Sequence, residues 1–172
     1  MASRHGILVA LALCAATIAP RAAADPTRED RAAATALFDE GRKLAGSKKY
    51  PEACPKFEAA QKLDPGMGTL FNLSDCYEHI GRSASAWSGF RDVASQARDA
   101  GQPDREKLAR DRAAALEPKL AKVRLLLPQD LSGVDLVILR DGSPLPAGLA
   151  GTPIPLDPGP HTLRIEAQGR AA

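Results

Sequence analysis

KKYPEACPKFEAAQKLDPG, Lys48 to Gly66, decides the fold of the first two thirds of this chain. Ala53, Phe57, Ala60 and Leu63 recur at the spacing of one helical face. Pro51 is tolerated in the first turn of a helix that begins near Tyr50, and LDPG stops it. The same pattern returns 33 residues later: Ala53 is met by Ala86, Phe57 by Phe90 and Ala60 by Val93. Upstream, Leu37, Phe38 and Leu44 are met by Leu70, Phe71 and Tyr77. A period of this length marks stacked supersecondary units, each of which buries its apolar face against the next.

The flanking helices follow from the same pattern. Before the stretch, Thr27 can cap, with Asp30 three residues on, and REDRAAATALFDEGRKLAG carries apolar or small residues at 33, 37, 38, 41, 44 and 45 before Gly46 and Ser47 end the helix. After it, a third helix is expected from about Met67 to Ile80. A fourth follows from Ser83 to about Ala100, with Ala86, Phe90, Val93 and Ala97 inward. Pro103 opens a fifth, DREKLARDRAAALE, whose expected apolar face is Leu108, Ala109, Ala115 and Leu116. Lys107, Arg110 and Lys119 occupy its repeat positions, so it reads as a polar-faced cap, as the end of a solenoid requires.

Beyond Pro118 the period changes to that of strands. KVRLLLP sets Val123, Leu125 and Leu127 against Lys122, Arg124 and Leu126. VDLVILRDG ends on the Asp141-Gly142 turn signal. An edge-like strand with two prolines, TPIP, leads to an Asp157-Pro158-Gly159 turn and a strand alternating His161, Leu163 and Ile165 with Thr162, Arg164 and Glu166. A small antiparallel sheet is expected, and a sheet with an unpaired edge needs the helices for stability.

The chain has 172 residues, 44% hydrophobic but only 4% aromatic. Alanine carries much of that apolar content, so the core depends on Phe38, Phe57, Phe71, Tyr77, Trp87 and Phe90. The first residues pair a basic Arg4-His5 with an apolar run from Gly6 to Ala19 and small residues at Ala22 and Ala24. This is the form of a secretory signal peptide over residues 1–24, cleaved before Asp25. The run falls short of the roughly 20 residues a membrane helix needs, so no integral span is expected after cleavage. Leu13 precedes Cys14, where a lipid-attachment motif wants a small residue. Cleavage removes Arg4 and Arg21 from the 23 Lys and Arg, leaving 21 against 21 Asp and Glu. A neutral chain of interspersed signs has no field for phosphate, which excludes nucleic acid as a partner class.

The residues Gly41, Leu44, Tyr50, Ala53, Phe57, Ala60 and Pro65 fall on the signature spacing of the tetratricopeptide repeat, which this part of the chain resembles. The second unit keeps Leu70, Leu73, Ser74, Tyr77, Gly81, Ala86 and Phe90. Departures are an offset of 33 instead of 34, the lack of a closing proline near position 98, and Pro55 inside a helix, where it deletes a backbone bond. The elements DG, GTPIPLDPGPHTLRI and AQG resemble a PEGA-type module, an envelope-associated sandwich, without a strand after Gly169.

Together these resemblances imply an α+β protein. A signal peptide at 1–24 precedes a helical array of two repeats plus a capping helix at 25–118 and an antiparallel β-sandwich-like module at 119–172. They imply an exported protein of the periplasm or cell envelope that acts as a scaffold, with a protein or extended peptide as partner. A structural envelope module attaching to wall polymer or a surface protein through the sheet is the alternative. In the repeat family the first helix of each unit lines the concave surface, so Phe38, Arg42, Phe71, Asp75 and His79 are expected to face the partner. The alternative is that both rings are covered by other parts of the chain. Stacked units also bring Cys54 beside Cys76, either as a disulfide, which an exported protein permits, or as two buried thiols.

No chemistry is expected. Asp75 and His79 in SDCYEH lie four apart on one helix face. No third ligand or nucleophile accompanies them, and the pair reads as a solvated ion pair. No glycine-rich phosphate loop or nucleophile elbow occurs. Neither a cofactor nor a metal is implied.

Overall fold

The computed structural model describes residues 25–127 and 136–167. The expected signal peptide lies outside them. Five α-helices occupy the first part: α1 (Arg28–Gly46), α2 (Tyr50–Leu63), α3 (Met67–His79), α4 (Ser83–Asp99) and α5 (Pro103–Leu116). Five strands follow: β1 (Ala121–Arg124), β2 (Leu136–Arg140), β3 (Ser143–Leu145), β4 (Pro153–Leu156) and β5 (Leu163–Ala167). The chain is therefore α+β, a helical array followed by two small antiparallel sheets.

Local chemistry fixes the helix ends. Thr27 and Asp30 form a reciprocal capping box, in which the Asp30 N–H donates to Thr27 Oγ1 at 3.1 Å and the Thr27 N–H to Asp30 Oδ2 at 3.0 Å. At the other end of α1 the left-handed residue is Lys48, at φ 60, rather than Gly46. Pro55 lies within a continuous α2 and on its exposed side, so the carbonyl of Pro51 loses its helical donor where water can replace it.

Each helix packs chiefly on its neighbours in sequence, α1 on α2, α2 on α3, α3 on α4 and α4 on α5. One core cluster joins Ala53, Cys54, Phe57, Leu73 and Cys76, with Phe38, Tyr50 and Tyr77 packed against it. A second joins Ala86, Phe90, Ala113 and Leu116, and a third Val93, Ala94 and Ala109. The inward face of α5 is therefore Ala109, Ala113 and Leu116. Leu108 and Ala115, expected to be inward, are exposed, because the seam follows positions i, i+4 and i+7 from Ala109.

Backbone approach is closest at two glycines. A Cβ on Gly41 would stand 2.8 Å from the Phe57 ring, and one on Gly89 would collide with Ser74 Oγ. Ser74 holds the position in the second unit that Gly41 holds in the first, so there the space is provided from the opposite helix. Cys54 of α2 and Cys76 of α3 are bonded, with Cα atoms 5.6 Å apart, which ties the first helix pair to the second.

In the β part, β1 pairs with β4, and β2 lies between β3 and β5, all antiparallel. The β2–β3 hairpin turns on Asp141 and Gly142, both at positive φ, as a two-residue turn of this hand requires. β3 is a strand the alternation did not reveal. β1 ends at Arg124, short of the expected run to Leu127, and Leu126 is 75% exposed. Its partner β4 carries Pro153 and Pro155, which offer no N–H to the ladder. Val123, Ile154 and Leu156 from one sheet and Leu145 and Leu163 from the other line a small apolar void.

Candidate functional site

The expected partner-facing residues divide into two groups. Phe38 is half-buried, tilted on Phe57 with ring centroids 5.8 Å apart, and the Arg42 guanidinium lies 5.9 Å from its ring. Phe71 is likewise half-buried, edge-on to Phe90 at 5.4 Å. Both rings thus rest on the large aromatic of the second helix in their own unit and keep one part accessible. Asp75 and His79 are engaged from other helices. Asp75 accepts a bond from Arg112 of α5 at 2.6 Å, and Glu78 accepts from the same guanidinium at 2.8 Å. His79 stacks on Tyr50 at 3.9 Å and approaches Asp75 to 3.8 Å. Arg112 also lies 4.6 Å from the Phe90 ring, so one cation ties the capping helix to α3 and to the core aromatic.

Phe71 continues into a groove between α3 and α5 of about 350 Å³, lined by Gly68, Phe71, Asn72, Asp104, Arg105 and Leu108. Leu108 is 50% exposed there. Its approach to Phe71 was not legible in the sequence, which set Leu108 on the inward apolar face of the capping helix. The only available signal was that the seam from Ala109 leaves it off the buried face.

A second constellation joins helices to strands. α4 has no cap from its own Arg82, and no other side chain near its start supplies one. Instead Asp157, after β4, accepts the Ser85 N–H at 2.9 Å and the Ser85 hydroxyl at 2.5 Å. Ser85 is the third residue of the helix, whose N–H a capping side chain normally takes. A carboxylate there also meets the positive end of the helix dipole. Arg82 Nε donates to Asp157 at 3.2 Å while its Nη1 donates to Glu58 at 2.9 Å. The same guanidinium lies 4.0 Å from the Tyr77 ring, whose hydroxyl donates to Glu58 at 2.7 Å. Burial first, and then the Glu58 carboxylate, push the Tyr77 hydroxyl well above its ordinary value.

His161 braces this junction from the strand side. Nδ1 lies 2.7 Å from Asp141 and Nε2 2.8 Å from the Asp157 carbonyl. With Asp141 accepting one bond and the carbonyl the other, both ring nitrogens donate, and the imidazolium is favoured. The Asp141 bond foremost, then the Asp157 carbonyl, raises the His161 value. Burial pushes the Asp157 carboxyl upward, but the bonds from Ser85 and Arg82 outweigh it and hold the group below the usual carboxylate range. In the sequence, Asp157 was legible only as part of a turn, and Arg82 and Ser85 carried no signal.

Among the described residues no three His, Cys, Asp or Glu side chains converge as a metal site would require, and no helix is long and apolar enough to cross a membrane. The chain matches no protein-family model and no curated protein.

Proposed function

We propose that this protein is a non-enzymatic adaptor of the cell envelope that holds an extended peptide or protein segment on its helical array, with the strands as a docked accessory module. The observation that carries the proposal is the Phe71–Leu108 groove between α3 and α5, where an exposed leucine and a half-buried aromatic flank Gly68 and Asn72. A groove between helices supplies length without enclosure, which suits a chain better than a small metabolite. Phe38 and Arg42 extend the accessible surface on α1. Asp75 contributes by fixing α5 through Arg112, so its role is to shape the groove. His79 likewise orders α3 against Tyr50. The repeat resemblance and the export expected from residues 1–24 supply the cellular setting.

The test is selection of peptides from a displayed library on the full chain, followed by Leu108→Asp and Leu108→Met. Peptides lost with the aspartate and retained with the methionine support the proposal. Selected peptides indifferent to both substitutions would sink it.

A second reading, attachment to wall polymer or a surface protein through the strands, is favoured by Val137, Leu163 and Ile165, which are 37–41% exposed. It predicts capture that ignores Leu108 and is lost on substitution of Ile165 by Asp.

A further inference from the structure

Between α4 and the strands lies a cleft of about 380 Å³, bounded by Ser85, Trp87 and Ser88 on the helix and by Arg140, Pro155 and His161 opposite, with Asp141 and Asp157 at its wall. Its charged groups are almost fully matched. Asp157 is taken by Ser85 and Arg82. Asp141 is taken by His161 and the Thr162 N–H. Arg82 has Glu58, Asp157 and Ser85 as acceptors. Arg140 is different. Among the described residues its guanidinium has no hydrogen-bonded acceptor and no ion pair, although it is half-buried at the end of β2.

Arg140 borders both the cleft and the apolar void between the sheets. A long cationic side chain in that position lays its methylenes on the apolar side and keeps its head at the polar one. A partly desolvated guanidinium favours a planar acceptor that takes two parallel N–H bonds.

We propose that the cleft binds a small monocarboxylate, its carboxylate on Arg140 beside the Ser88 hydroxyl and its body against Trp87 and Pro155. The volume lies near the lower end of the roughly 300–1,000 Å³ typical of small-molecule sites, which limits the ligand to a compact one. With Asp141 and Asp157 already matched by His161 and Arg82, Arg140 is the one cation of the wall without a partner among the described residues: a monoanion balances it, whereas the second charge of a dianion meets no free cation. The site is independent of the peptide groove, because none of its residues borders the space around Phe71 and Leu108.

Trp87 is the single tryptophan and borders both this cleft and a second one beside Arg91 and Arg110, so its fluorescence and indole N–H resonance report binding and the Arg140 variants assign it to this cleft. The full chain is titrated with N-acetylglycine, with inorganic phosphate and with sodium chloride. N-acetylglycine is expected to saturate with a Kd on the order of 1 mM, and Arg140→Gln to weaken it by about tenfold or more. Arg140→Lys keeps the charge and loses the two-pronged geometry. It is expected to fall between wild type and Arg140→Gln, and it serves if the glutamine variant unfolds. Absence of saturation in the wild-type chain overturns the site. So does a response reproduced by sodium chloride, or one mapped away from Arg140 and Ser88. Phosphate binding as tight as N-acetylglycine overturns the assignment to a monocarboxylate.

Discussion

The helical array and the strands solve the problem of a small core differently. In the helices the large side chains Phe57, Phe90, Val93 and Leu116 are at most 2% exposed, and small residues at the crossings let the backbones close around them. Among the strand residues whose burial is described, only Ile138 and Leu156 reach burial, while Val123, Val137, Leu163 and Ile165 stay 37–41% exposed. Five strands of three to five residues cannot enclose a core of their own size, and short sheets gain stability by leaning on another element. The support here is polar: Asp157 caps α4. An array held by burial should respond to volume changes, and a module held by a charged cap should respond to pH.

Removal of a core ring gives the largest expected effect. Phe90→Ala deletes a fully buried side chain that touches Phe71 and Arg112, and should destabilise the helical transition by about 3–5 kcal/mol in chemical denaturation. An effect below about 1 kcal/mol would mean the array is not held by its core.

Next is the covalent tie. Cys54 and Cys76 are 22 residues apart in sequence, and paired replacement by alanine should cost about 3 kcal/mol in the chain-entropy account. Titration of the unfolded, unreduced chain should find no free thiol at either position.

Gly89→Ala comes third. The added methyl meets a Ser74 hydroxyl that is buried and donates to the Leu70 carbonyl at 2.7 Å, so neither side can yield cheaply. A loss of about 1–3 kcal/mol is expected, and Ser74→Ala in the same chain should recover part of it.

The smallest effect concerns the junction. Asp157→Asn should cost about 1 kcal/mol and allow the strands to melt before the helices, seen as a second transition in heat unfolding followed at β5 resonances. The pH dependence follows from the two shifts. The Asp157 contribution, with a lowered value when folded, is present above about pH 4 and is lost as pH falls through that lowered value. The His161 contribution, with a raised value, is complete below about pH 6.5 and is lost as pH climbs through it. The junction should therefore be tightest between roughly pH 4 and 6.5. A junction indifferent to pH across this range would assign its stability to apolar contact instead.

What the sequence alone determined is what repeats or alternates within a short reach. The spacing of Ala53, Phe57 and Ala60, met again by Ala86, Phe90 and Val93, fixed the helix pairs and their buried faces, because helical period is a property of local backbone geometry. Thr27 and Asp30 announced the start of α1, and Asp141-Gly142 the β2–β3 turn, for the same reason. Pairing across the fold was beyond such patterns. The capping of α4 by a carboxylate 72 residues away, the capture of Asp75 by Arg112 and the exposure of Leu108 depend on which elements meet and at what angle. β3 escaped notice because three residues give alternation too little length to register. Only tertiary structure decides such contacts, since a charged side chain carries the same local signal whether its partner lies one turn away or in another sheet.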